Sequence, residues 1–109
     1  MNEQHPASNA ETSWVSIELC TNAMKAAAQS EDWEQVLNLA SDRHEKLRRH
    51  FEQFPVSSDS ADFYQRRLTG LLRGEKDLQH LASNARRATM HDGLASNKNH
   101  RAMAAYLKS

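Results

Sequence analysis

The chain is poor in the residues that build sheets. Val15, Val36, Val56 and Ile17 are its only aliphatic β-branched residues, and strands favour such side chains on their half-buried faces. Three glycines and two prolines are too few to turn a series of short strands. The single cysteine, Cys20, cannot form an internal disulfide, which points to a reducing compartment. The longest apolar run, Ala102 to Leu107, is six residues, whereas a membrane span needs about twenty. The opening MNEQHPASNAET has neither the basic start nor the apolar stretch of a signal peptide. A cytoplasmic location without a membrane anchor is the expectation. Net charge is also lacking, because 14 basic residues balance 14 acidic ones, and that balance argues against disorder.

Of the 109 residues, 11 are leucine and 15 alanine, enough for one helical domain with a thin core. Residues 1–11 show no periodicity and read as a disordered tail. Trp14, Ile17, Thr21, Met24 and Ala28 then alternate at three- and four-residue spacing, which predicts a helix over 12–29. Val15 and Leu19 lie on its other side, so this helix either buries two faces or shows one to a partner. Ser30 reads as the cap of a second helix over 31–54, with Glu31 and Asp32 at its positive end. Trp33, Val36, Leu37, Ala40, His44, Leu47, Phe51 and Phe54 form its apolar stripe. Asp42–Lys46, Glu45–Arg49 and Arg48–Glu52 pair along its solvated side.

Pro55 ends that helix, and a third runs over 60–92 on Tyr64, Leu68, Leu71, Leu78, Ala82 and Ala85, stopping at Gly93. A short fourth helix spans 97–107. The predicted fold is all-α: an antiparallel three-helix bundle with a long third helix and a short C-terminal fourth. A turn centred near Ser57 and Ser58 sets Phe51 against Tyr64, Leu47 against Leu68, His44 against Leu71, Leu37 against Leu78 and Trp33 against Ala82. The Phe51, Phe54, Phe63, Tyr64 end and the third helix beyond Ala82 then escape the first helix.

Signals for chemistry are sparse. Glycines at 70, 74 and 93 make no phosphate-binding loop; Gly70 and Gly74, inside a helical pattern, read as a close helix approach or a kink. Histidines at 5, 44, 50, 80, 91 and 100 are never three or four apart, and Asp77-x-x-His80 occurs once, so neither metal nor cofactor is expected. Cys20 has no local base and reads as buried and inert. His44 and Glu75 both interrupt apolar stripes; they either reach water at the rim or pair across the seam. No nucleophile or pocket accompanies them, so no enzyme activity is expected. Residues 1–54 carry five basic and nine acidic groups, residues 55–109 nine basic and five acidic. Arg86, Arg87, Lys98, Arg101 and Lys108 make the last third basic, but at a density and without a motif that argue against direct nucleic-acid binding.

The Ala-rich end of the first helix, the Gln29-Ser30-Glu31-Asp32-Trp33 turn, the long Leu-spaced third helix and the tail His100-Arg101-Ala102-Met103-Ala104-Ala105-Tyr106 resemble the FliT-type flagellar export chaperones. The resemblance covers about Trp14 to Leu107, and its sharpest points are Asp32-Trp33 and Ala105-Tyr106. One departure is Ser30-Glu31, where the family commonly has a glycine before the acidic-Trp step. The resemblance implies a cytoplasmic chaperone that holds the C-terminal part of the filament-cap protein FliD and delivers it to the export apparatus. It also implies contacts with the export ATPase and its associated export proteins, and with the transcriptional activator FlhDC through protein–protein contact. A mobile C-terminal helix competing with partners for one surface is a family theme.

On the residues themselves, the expected client surface is Leu68, Leu71, Leu72, Leu78 and Leu81 on the third helix, because Leu72 and Leu81 flank the seam on opposite sides. Leu94, Met103, Tyr106 and Leu107 form the expected regulatory C-terminal segment. The competing reading, from another class, is a small homodimeric scaffold or adaptor whose exposed stripes pair with themselves.

Overall fold

In a computed structural model, residues 6–92 and 98–108 form an all-helical bundle measuring 57 × 25 × 19 Å. Four α-helices follow in order: α1 (Pro6–Gln29), α2 (Trp33–Gln53), α3 (Ala61–Asp92) and α4 (Lys98–Lys108), with one 3₁₀ turn at Ser58–Ser60. Leu94, on the expected regulatory segment, lies outside the described residues, as does the stop expected at Gly93.

Helix α1 starts six residues earlier than its apolar pattern predicts, so residues 6–11 are helix rather than tail. Pro6 suits the first helical position, where its missing N–H has no partner to lose. A polar contact ties this part of the helix down: Glu11 pairs with Arg67 of α3 at 3.3 Å, and the Arg67 guanidinium lies 3.7 Å from the centroid of the Phe63 ring. The inner stripe Trp14, Ile17, Thr21, Met24 and Ala28 is buried throughout, while Val15 and Leu19 stay exposed on the outer side.

The α1–α2 turn is closed by backbone. Asp32 N–H donates to Ala27 O at 2.8 Å and Glu31 N–H to Ala28 O at 2.9 Å, the bonding of a Schellman turn. Glu31 holds the left-handed position of that turn, with φ 60°, where glycine is the usual occupant. The cap of α2 is Asp32, whose carboxylate accepts from Gln35 N–H at 3.2 Å; Ser30 instead finishes α1, donating to Ala26 O.

Helix α2 turns a different stripe inward from the apolar one. Trp33, Val36 and His50 are buried, Arg43 is nearly so, and His44 is exposed. Positions 33, 36, 40, 43, 47 and 50 keep the three–four alternation, with two polar residues among them. The α2 and α3 backbones do not pack directly on one another; α1 and α4 each lie against both. The expected pairing of Phe51 with Tyr64 is present, at 5.2 Å between ring centroids, and Trp33 shares a core with Ala82.

Two apolar cores result. One joins Trp14, Ile17 and Tyr64 with Leu47, Phe51, Phe63 and Leu71, so the aromatic end does not escape α1. The other joins Met24, Ala28, Trp33, Val36, Leu78 and Ala82 with Ala102, Met103 and Tyr106 of α4, which covers the upper part of α3. Gly74 permits the approach of α1: a Cβ there would stand 3.0 Å from Thr21 Cγ2. Gly70 faces open space, so the expected close approach holds for one glycine of the two.

Candidate functional site

The candidate site is the cleft between α2 and α3, half covered by α4. At its upper end Asn99, in the first turn of α4, grips the α1–α2 turn with both ends of its amide. Its Nδ2 donates to Glu31 O at 2.7 Å, and its Oδ1 accepts from Trp33 N–H at 2.6 Å. Trp33 N–H is one of the first N–H groups of α2, which no intrahelical carbonyl can satisfy. Lys98 adds an ion pair with Glu34 at 3.6 Å. One and two turns on, Ala102, Met103 and Tyr106 bury themselves, and the Tyr106 ring lies 6.4 Å from Trp33.

Below these contacts a polar layer crosses the bundle and separates its two cores. Tyr106 Oη donates to Glu75 Oε2 at 2.7 Å. Arg43 NH2 donates to Glu75 Oε1 at 2.6 Å, and its NH1 to Thr21 Oγ1 at 3.2 Å. Each helix thus contributes one side chain, with Gln79 donating to Glu75 Oε2 as a fifth. Burial pushes the Glu75 carboxyl up, but hydrogen bonds from Gln79, Tyr106 and Arg43, with the charge of Arg43, outweigh it and leave the carboxyl below its ordinary range. Burial, reinforced by Glu75, pushes the Tyr106 hydroxyl well up, so it remains a donor. Glu75 therefore pairs with Arg43, and His44, the other partner considered from sequence, points to solvent.

Leu68, Leu72, Glu75 and Gln79 follow at four-, three- and four-residue spacing and share one side of α3. Tyr106 meets that side at Glu75, two residues before α4 ends at Lys108. One turn further along it, Leu72 is 68% exposed and Leu68 36%. The track that α4 occupies therefore continues, uncovered, over two leucines. Of the other expected client residues, Leu71 and Leu81 are half-buried against the lower and upper cores. Leu78 is fully buried beneath α4, so it belongs to the core rather than to a surface. In the expected regulatory segment, Met103 and Tyr106 are buried and Leu107 is half-buried, all on the upper core.

A second polar chain, at the aromatic end, lay outside the sequence reading. His50 is wholly buried, with Nδ1 2.8 Å from Ser13 Oγ and Nε2 2.7 Å from Tyr64 Oη. Tyr64 Oη donates to Phe54 O at 2.9 Å, which uses its only proton, so Nε2 must donate and Nδ1 accepts from Ser13. Burial lowers the His50 pKa and keeps the ring neutral. Trp14, Phe51, Phe54 and Tyr64 surround it at ring-centroid distances of 5.1 to 5.6 Å. The chain fastens α1, α2 and α3 together; a histidine so enclosed has no room to serve a substrate. Cys20 is buried with its thiol against Leu39 O, and burial pushes its pKa up.

Among the described residues, no group of three His, Cys, Asp or Glu is placed to hold a metal ion, and no helix is long and apolar enough to cross a membrane. Compared with protein-family models, curated proteins and solved structures, the chain finds no match in any of the three.

Proposed function

We propose that this chain is a cytoplasmic export chaperone of the FliT type, binding the C-terminal part of the filament-cap protein FliD and carrying it to the export apparatus. The supporting observation is the half-covered track on α3. A short helix fills its upper half, and the lower half exposes Leu68 and Leu72 in the same line. A client helix seats anchors at i, i+3 or i+4, and i+7 on such a surface, first on the leucines and then on ground that α4 vacates. Contacts with the export ATPase and its associated proteins, and with FlhDC, belong to the same reading. No catalysis and no cofactor enter it.

Native mass measurement with and without a FliD C-terminal peptide tests the proposal, with a one-to-one complex as the expected result. Leu72→Asp should weaken that complex at least tenfold while leaving helicity intact, since Leu72 supports nothing in the core. The exposed Val15 and Leu19, beside Leu39 on α2, favour the second reading, a homodimeric scaffold. That reading requires a tight dimer indifferent to the peptide.

A further inference from the structure

Helix α4 is the molecule's own example of what the track on α3 accepts. Asn99, Met103 and Tyr106 follow at four- and three-residue spacing along its inner side. Tyr106 is the one of the three that meets a charge. Its ring is buried 6.4 Å from Trp33, and its hydroxyl donates to Glu75 Oε2 at 2.7 Å. The half-buried Glu75 holds two further donors, Arg43 on Oε1 and Gln79 on Oε2, and both belong to helices other than α4. Leu68, Leu72 and Glu75 lie within about 60° of one another around α3, at 100° per residue. A helix that extends the line of α4 past Tyr106 therefore meets Glu75 first and the two leucines next.

When α4 leaves, water can take the place of the Tyr106 hydroxyl on Glu75. A helix laid over Glu75 and the leucines excludes that water, so it brings a donor of its own or leaves a carboxylate oxygen short of one. The donor has to be neutral, because Arg43 already compensates the carboxylate at 2.6 Å and a second cation would face its guanidinium. It also has to be long and apolar below its tip, since a serine or threonine hydroxyl does not span the distance that a phenol does. Tyrosine meets both conditions. We infer that the track takes an amphipathic helix with a tyrosine in the place of Tyr106, hydrogen-bonded to Glu75, and apolar residues four and seven positions after it on Leu72 and Leu68. The inference deepens the preceding reading; it rests on that reading for the exchange with α4 and not for the identity of the client.

Three fluorescent helical peptides test it on the full chain. Each copies residues 98–108 and continues for about nine residues, with leucines four and seven positions after the tyrosine; they carry Tyr, Phe or Lys at the tyrosine position. By anisotropy the Tyr peptide should bind about tenfold more tightly than the Phe or the Lys peptide. Glu75→Gln, which keeps the shape and removes the charge, should cut that ratio to about threefold or less. If that variant is misfolded by circular dichroism, the wild-type comparison decides alone. Asn99→Ala loosens α4 and should tighten the binding of the Tyr peptide at least fivefold. Equal binding of the Tyr and Phe peptides, a Lys peptide as tight as the Tyr peptide, no binding of any, or no response to Asn99→Ala overturns the inference. If the FliD peptide binds while the Tyr and Phe peptides bind alike, the tyrosine requirement fails and the chaperone reading stands. If the Tyr peptide is preferred and the FliD peptide does not bind, the reverse holds.

Discussion

Replacing Asn99 with alanine should release α4 without loosening the rest of the bundle. The substitution removes two hydrogen bonds, of 2.7 Å to Glu31 O and 2.6 Å from Trp33 N–H, and leaves that N–H to seek water at a partly buried site. At about 0.5–1.5 kcal/mol each, the pair contributes about 2 kcal/mol to docking. An isolated helix of this length is marginal in water, so α4 is ordered by its contacts. A loss of about 2 kcal/mol raises its undocked population about thirtyfold. Amide hydrogen exchange resolves this directly. Protection over residues 98–108 should fall about thirtyfold, while the amides of α1 and the lower half of α3 keep theirs. Asn99→Asp should do at least as much, because it retains the acceptor for Trp33 but sets a carboxylate oxygen against the Glu31 carbonyl. Unchanged exchange in α4 would refute the clamp, and a uniform loss across all four helices would show that α4 folds and unfolds with the whole.

Gly70→Ala should stabilise the protein by about 0.5–1 kcal/mol in urea melts, because its Cβ meets open space, whereas Gly74→Ala should destabilise it by pressing on Thr21 at 3.0 Å. Glu31→Gly should add about 1 kcal/mol by relieving a left-handed residue that carries a Cβ, read as a higher midpoint at unchanged m-value. Burial keeps His50 neutral in the folded state, so below about pH 6.5 the unfolded chain binds a proton that the folded chain refuses. Stability should therefore fall with pH in that window by up to about 1.4 kcal/mol per unit, and His50→Gln should flatten the slope between pH 7.5 and 5; an unchanged slope would assign it elsewhere.

The inner stripe of α1 was legible because Trp14, Ile17, Met24 and Ala28 are apolar and periodic. The stripe of α2 was misread by one position. The expected positions Leu37, His44 and Phe51 neighbour the buried or nearly buried positions 36, 43 and 50, and two of those three carry polar groups. Periodicity weighs side chains by hydrophobicity, so it cannot find Arg43 or His50, whose burial depends on partners from other helices. Spacing alone offered a signal, since 33, 36, 40, 43, 47 and 50 keep the three–four alternation through both polar positions. The early start of α1 was hidden for a related reason: the visible anchor of its first turns is the Glu11–Arg67 pair, not an apolar face. Leu78 was grouped with Leu72 as client surface although it lies on the apolar stripe and Leu72 does not; residues of α1, α2 and α4 bury the first, and the second stays 68% exposed.

The polar layer also bears on how few ways the helices can be assembled. A bundle held by leucines and alanines alone would accept a helix displaced by a turn or a heptad at small cost, since one apolar layer resembles the next. Here Thr21, Arg43, Glu75 and Tyr106 must all arrive at one level. Sliding α3 by one heptad would put Leu68 or Ala82 where Glu75 stands and leave the Arg43 guanidinium facing hydrocarbon, at a cost of about 3–5 kcal/mol for an unpaired buried charge. The arrangement narrows the alternatives available to a small, alanine-rich chain to a single alignment, and that alignment is also the one that places Tyr106 at the end of the α4 track.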